Sequence, residues 1–352
     1  MKKFLPVLIL LTLVVAVQIL TQLTGTTYYL TQLTMSAYYC VVIIGLCLLM
    51  GYAGQISLGH AGFFAIGGYM SAMLTTHNLI PYQNHILVKL AETLGVLVGK
   101  IDTFGEPLLV FHPWIACIIA ILLALIIAFV IGIPVLKLKG HYLAMATLGF
   151  GIIIYRIALA SAIFGEADGI SEVPGFTLLP GMTVNGGFGS RISNYYIAWA
   201  MVLLTMLCFI NLVGSRVGRA LRAIHGSEDA ANAMGVNTPR YKLKTFVFSA
   251  GLAALAGVFL THYNGGIGPS EASIMKSVRY VAIVAIGGMA NLWGALTMGV
   301  ILNFLSLRGV FGSYDEAVFG TILIVIMLFA PEGLLRLSLL HKVKRFLGRG
   351  ES

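Results

Sequence analysis

Apolar residues run along this chain in long unbroken blocks separated by short polar punctuation. Neither the alternation of a half-buried strand nor the single stripe of a surface helix dominates. Blocks near residues 4–20, 30–50, 54–76, 113–135, 141–163, 195–213, 245–263, 280–305 and 316–331 approach the length, about 20 residues, that a helix needs to cross hydrocarbon. They predict an all-α, polytopic membrane helix bundle of about 8–10 transmembrane segments, one membrane domain over 1–352. The block 280–305 is interrupted by Gly287-Gly288 and by Asn291-Leu292-Trp293-Gly294, which predicts a re-entrant or broken segment. Irregular backbone at membrane depth is tolerated only where protein or a wet cavity surrounds it, so this break marks a place near a transport path or a tight packing point.

Composition supports this class. The chain is 59% hydrophobic and 10% charged, against about 25% charged in soluble domains. Its mean hydropathy is +0.94. The formal net charge of +9 does not point to nucleic acid, because the basic residues flank apolar blocks and suit a lipid bilayer's anionic face. Cys40, Cys47, Cys117 and Cys208 lie in apolar stretches without ligand spacing and read as small core residues, so no metal site is expected. Met1-Lys2-Lys3 followed by an apolar run without an A-x-A site reads as an uncleaved first span.

Lys and Arg placement orients the chain. With the N-terminus cytoplasmic, Lys2, Lys3, Lys137, Lys139, Arg216, Arg219, Arg222, Arg240, Lys242 and Lys244 fall on the cytoplasmic side. The extracytoplasmic loops 77–112 and 164–194 hold Lys89, Lys100 and Arg191 beside Glu92, Asp102, Glu106, Glu166, Asp168 and Glu172. The basic tail (Arg336, Lys342, Lys344, Arg345, Arg349) places the C-terminus in the cytoplasm too, provided 280–305 makes two short crossings or a hairpin. Ile86, Leu87, Leu90, Leu94, Leu97 and Val98 are spaced as an interfacial helix within loop 77–112.

Segment 214–244 is the predicted cytoplasmic loop with structure of its own. Ser227 is a good N-cap, Glu228 and Asp229 complement the helix dipole, and Gly235 suits a left-handed C′ position. Thr238-Pro239 caps and starts the next helix. The result is about two turns displaying Ala230, Ala231, Ala233 and Met234, too short to be stable alone, so it is a well-capped loop or a piece held by a partner.

Elsewhere, Gly51, Gly54, Gly59, Gly62, Gly67 and Gly68 are interleaved with Gln55, Ser57 and His60. Close helix packing and a path lined by these three polar residues both fit. Arg156 lies inside a block, where a central charge costs about 2.5–3.5 kcal/mol on insertion scales; it snorkels, pairs or faces a wet cavity. Gly287, Gly288 and Asn291 complete the path candidates. The sequence holds no phosphate-cradling G-x-x-x-x-G-K-[ST] loop, since Gly95…Gly99-Lys100 is one residue short and is followed by Ile101. It holds no G-x-S-x-G and no paired-carboxylate site either, so no catalytic residue is assigned. The spans carry almost no carboxylates, with Asp315 and Glu316 at an edge, which argues against ion coupling.

Asp229-Ala230-Ala231-x-x-x-Gly235 resembles the EAA-x3-G coupling motif of ABC importer permeases, with Asp for Glu. Gly218–Ile224, Ala233–Val236, Gly51–Tyr69, Gly140–Leu148 and the ending Ala330-Pro331-Glu332-Gly333-Leu334 resemble branched-chain amino-acid permeases of the LivM type. The resemblance implies a pore-forming inner-membrane subunit with no cofactor of its own. It implies that 227–235 docks on separate ATP-binding subunits, with a second homologous permease and an extracytoplasmic substrate-binding protein as further partners. Loops 77–112 and 164–194 would then form the landing surface for that binding protein. A urea or short-amide importer shares the same architecture. An ion-coupled secondary transporter and a membrane enzyme are the remaining alternatives.

Overall fold

A computed structural model describes residues 5–82, 85–93, 95–101, 105, 107–179 and 181–329. The basic tail and the Ala330–Leu334 ending lie outside the described residues. The chain folds as α1 (Leu5–Leu23), α2 (Tyr29–Cys47, continued by a π-helical turn Leu48–Tyr52), α3 (His60–Thr76) and α4 (Ile86–Thr93). A hairpin of β1 (Leu97–Ile101) and β2 (Pro107–Phe111) leads into α5 (Pro113–Val135) and α6 (His141–Ala160). A second hairpin, β3 (Phe176–Leu179) with β4 (Met182–Val184), precedes α7 (Arg191–Gly214), α8 (Arg216–Gly226) and α9 (Glu228–Ala233). The remainder is α10 (Thr238–Asn264), a 3-10 turn Pro269–Ala272, α11 (Ile274–Gly287), α12 (Leu292–Leu307) and α13 (Asp315–Phe329).

Six helical segments among the described residues are long and apolar enough to cross a membrane: α1, α2 with its π turn, α5, α6, α7 and α10. Burial sorts them. The α2 segment is 89% buried and α10 is 61% buried, whereas α1 and α6 are 28% buried. A helix apolar all round sits either in a core or in lipid. Here α2 is the central post, packed by α7, α10, α11 and α12, while α1, α5 and α6 present Leu8, Ile9, Leu122, Ile126 and Ile153 outward.

Close backbone approach between α3 and α10 sets the core. A Cβ on Gly257 would overlap the Phe64 carbonyl, and one on Gly67 would overlap Ala254 backbone. Lipid offers no hydrophobic gain for helix association, so small residues that let backbones touch supply the packing. The two hairpins lie at one end of the bundle, where the Ile170–Ile267 bridge ties the loop before β3 to the loop after α10. The α8–α9 corner lies at the other end.

Several sequence expectations shift. The block 54–76 is helical only from His60; residues 54–59 are irregular. The block expected at 280–305 begins at Ile274 and is two short helices, of 14 and 16 residues, joined at 288–291. The expected interfacial helix stops at Thr93, because Leu97 and Val98 pair as a strand with Phe111 and Val110. The 238–244 part of the cytoplasmic loop is already α10, and the cap of that helix is Asn237, whose Oδ1 accepts from Arg240 N at 3.2 Å, rather than Thr238. Asn fills an N-cap as well as Thr does, and it stands one residue earlier.

Gly257→Ala is expected to wedge α3 from α10 and lower stability by about 1–3 kcal/mol. Gly149→Ala, whose Cβ would meet nothing within 4 Å, is the matched control. Thermal unfolding in detergent compares them, and equal melting temperatures would contradict the close approach.

Candidate functional site

At the α8–α9 corner, Ser227 Oγ accepts from Ala230 N at 3.3 Å and caps α9. Glu228 and Asp229 occupy its first turn, as dipole complementarity requires. The helix closes with Val236 N–H donating to the Ala231 carbonyl at 3.0 Å, while Gly235 takes φ 82°, a left-handed turn that favours glycine. Glu228 anchors the corner: Lys242 Nζ on α10 donates to both of its carboxylate oxygens at 3.0 and 2.9 Å, and Thr238 Oγ1 lies 3.4 Å away. Lys242 is buried. Asp229 meets Lys139 at 3.3 Å in an exposed pair, which contributes at most about 1 kcal/mol.

The displayed face differs from expectation in one residue. Ala230, Ala233 and Met234 are exposed, Met234 at 84%, but Ala231 is buried against the bundle. A two-turn helix has to rest on something, and Ala231 is the side chain it rests on. Beneath the corner is a cavity of about 160 Å³ lined by Gly54, Gln55, Lys139, His225, Glu228 and Lys242, among others.

Gln55 and Ser57 lie in the irregular entry to α3 and His60 is its first residue; of the three, Ser57 and His60 are in contact. His60 bridges two hydroxyls, with Nδ1 3.0 Å from Ser57 Oγ and Nε2 2.9 Å from Ser249 Oγ, so either neutral tautomer is satisfied. Ser249 lies near the middle of the 27-residue α10, which places the start of α3 deep inside the bundle. Backbone amides freed by the break find side chains: Leu58 N donates to Thr147 Oγ1 (3.0 Å) and Ala61 N to Ser277 Oγ (3.3 Å). Gln55 is buried, yet neither of its side-chain polar atoms has a partner among the described residues. An unsatisfied buried amide costs about 1–3 kcal/mol.

The other path candidates are placed elsewhere. Arg156 is exposed on α6, one turn from the helix end, and does not join this cluster. Gly287, Gly288 and Asn291 form the α11–α12 turn, where Asn291 Oδ1 accepts from Gly294 N at 3.1 Å. That turn packs on the end of α2: Tyr52 Oη donates to the Ala290 carbonyl at 2.8 Å, and a Cβ on Gly51 would overlap the Met289 carbonyl. It is a packing point.

Sequence reasoning missed a second polar layer. The segment 264–279, read as a connection between spans, turns back into the bundle. Tyr39, at the middle of α2, donates through Oη to Glu271 Oε1 at 3.0 Å, and Lys276 Nζ donates to the same oxygen at 3.0 Å. Arg279 pairs with Asp315, which also accepts from Ser306 Oγ at 2.6 Å. Toward the hairpins, His262 Nε2 is 2.8 Å from Ser71 Oγ and its Nδ1 is 2.7 Å from the Pro174 carbonyl. These two ion-paired carboxylates lie in the turn before α11 and at the start of α13, outside the six membrane-length helices. The available signal was Glu271 and Lys276 five residues apart beside an otherwise uncharged block.

A core of membrane-length helices with internal polar layers and a capped helix at one end defines a multi-pass membrane protein. Residues 28–330 match the family described as "Branched-chain amino acid transport system / permease component", and the chain belongs to that family. It is 29% identical over 329 residues to the high-affinity branched-chain amino acid transport system permease protein LivM of Escherichia coli (strain K12), covering 88% of this chain and 70% of that one. The corresponding LivM of Salmonella typhimurium is 30% identical over 315 residues, covering 84% and 67%. The LivH permease protein of Escherichia coli (strain K12) is 27% identical over 311 residues, covering 86% and 92%. No solved structure matches the chain.

Lys242→Met strands the Glu228 carboxylate and is expected to cost about 2–3 kcal/mol, less than the about 3–5 kcal/mol of a fully buried pair because Glu228 keeps some solvent contact. Glu228→Gln combined with Lys242→Met is expected to recover most of that loss. A double-mutant cycle of thermal unfolding in detergent measures it, and additive losses would deny the coupling.

Proposed function

We propose that this chain is the permease subunit of an ATP-driven importer of branched-chain or related small hydrophobic amino acids. Family membership supports the amino-acid class, since the relatives carry that substrate in their names. The observation that carries the ATP-driven part is the α9 corner. A helix of six residues cannot hold itself, yet it is capped at both ends, pinned by Glu228 and Ala231, and turns Ala230, Ala233 and Met234 outward. A small apolar knob on a rigid base suits a groove in an ATP-binding subunit. Residues 227–235 are the coupling element. The chain supplies no nucleotide site or cofactor of its own, and ATP is hydrolysed by the partners.

The route for coupling is physical. Glu228 holds α9 to Lys242 on α10, and further along α10 Ser249 holds His60 at the entry to α3. A push on α9 therefore moves α10 against the irregular segment 54–59, and alternating access results from the shift of that segment. Gln55, with its unpartnered amide, and Ser57 and His60 lie on the path side of this lever. Arg156, on an exposed face of α6, contributes where a second homologous permease or lipid covers it. The basic residues around α8 and α10 support a cytoplasmic location for this end, and on this reading both termini lie in the cytoplasm and the chain in the inner membrane. The hairpin end, with the loops 77–112 and 164–194, receives the extracytoplasmic substrate-binding protein.

Purification of the tagged chain in mild detergent, followed by mass spectrometry, tests the reading. Recovery of ATP-binding subunits and a second permease is expected. Met234→Glu is expected to lower ATP-binding subunit recovery about tenfold or more, as loss of a central apolar anchor does. Met234 is exposed, so its loss leaves the fold intact. A chain that purifies alone and transports amino acids in vesicles without ATP would make it a secondary transporter instead.

A further inference from the structure

The Glu271–Lys276 pair does more than a structural tie requires. It lies level with the middle of α2, where charges are costly and are retained for a reason. Glu271 Oε1 takes both of its bonds, from Tyr39 Oη and Lys276 Nζ, each at 3.0 Å. Glu271 Oε2 is buried with no partner among the described residues. The hydroxyls of Tyr69 and Tyr280 are likewise buried and unpartnered, and both lie within electrostatic reach of the Glu271 carboxylate. Tyr280 is fully buried and Tyr69 is 3% exposed. Three orphaned polar atoms around one ion pair are an open valence, since buried polar groups in folded proteins are nearly always satisfied. The pair is also reachable, with side chains 18% and 21% exposed for Glu271 and Lys276.

The orphaned atoms match one ligand chemistry. A fixed anion beside a fixed cation, flanked by hydroxyls able to donate or accept, is complementary to an ammonium and a carboxylate on one carbon. We propose that Glu271, Lys276, Tyr39, Tyr69 and Tyr280 form a binding site in this chain for the zwitterionic head of an α-amino acid. This rests on the importer reading above and deepens it. The ammonium sits on Glu271 Oε2, and the carboxylate on Lys276 Nζ. Tyr280 and Tyr69 accept from the former or donate to the latter. Without substrate the pair closes on itself, so no net charge is left in the low-dielectric interior. With substrate the charges are again matched, which lets a doubly charged molecule pass without stranding either group. The site reads the head and leaves the side chain to be chosen elsewhere. Neutral urea and amides offer it no charges.

The test uses the complete importer, reconstituted in proteoliposomes with its ATP-binding subunits, second permease and substrate-binding protein. Labelled leucine uptake and ATP hydrolysis are measured together. Glu271→Gln and Lys276→Met are each expected to lower uptake about tenfold or more. The double neutral variant carrying both changes is decisive. As a structural ion pair, its removal in full leaves no unpaired charge and restores uptake. As a ligand site, uptake stays low while complex yield and ATP hydrolysis are kept. Tyr280→Phe gives the independent check. It removes a hydroxyl that has no partner among the described residues, so thermal stability is unchanged or raised while leucine uptake falls severalfold. Recovery of uptake in the double variant, or normal uptake with Tyr280→Phe, overturns the inference and leaves the importer reading standing. A wild-type importer that takes up no amino acid overturns both.

Discussion

Leu58 donates its backbone amide to Thr147, and Ala61 donates its own to Ser277. These two bonds show the constraint on which the rest of the molecule depends. A chain that leaves helical geometry inside a bilayer frees amides that no water can satisfy, and each costs several kcal/mol unless protein supplies the partner. The break at 54–59 is possible only because α6 and α11 bring hydroxyls to it. They arrive there because α2 is encased and α3 lies backbone to backbone on α10. The glycine contacts, the encased post and the polar break are one solution to one problem.

The same solution links one end of the bundle to its interior. Glu228, Lys242, Ser249 and His60 step from the α9 corner along α10 to the break. The α9 corner is light, held by one partly buried ion pair and one buried alanine on a closely packed core. On the proposed reading, this exposed tip passes displacement into α10. The second polar layer, around Glu271, lies farther toward the hairpins against the middle of α2. The interior therefore carries two polar stations, one of neutral hydrogen-bonding groups and one of paired charges.

What could be read in the sequence depended on whether a signal was local. The Ser227 cap, the acidic first turn and the left-handed Gly235 are decided within a few residues of each other, and all stand as expected. Gln55, Ser57 and His60 were conspicuous because polar residues inside apolar blocks are rare; Ser57 and His60 do meet, whereas Gln55 bonds to neither. Ala231 was misplaced because a short alanine-rich helix carries no periodic stripe to tell its inner face from its outer one. Arg156 was conspicuous for its charge, but charge alone does not say which face of α6 points inward. Leu97 and Val98 continued a helical spacing that Phe111 and Val110, across the hairpin, overrode by pairing.

Glu271 marks the limit most clearly. Its neighbours along the chain are those of an ordinary connection, and its partner Tyr39 is more than two hundred residues away. By itself the sequence determined that this protein lives in a membrane, that its helices cross it, and that one capped helix stands at the α8–α9 end. Length, hydropathy and capping act along the chain and need no knowledge of what lies across the bundle. Only the tertiary structure decided that α3 starts deep inside, that the 288–291 turn is a packing point, and that Glu271 and Lys276 face three tyrosines. Those facts depend on which distant side chain arrives to satisfy a buried charge or amide, and only the closure of the bundle around α2 settles that.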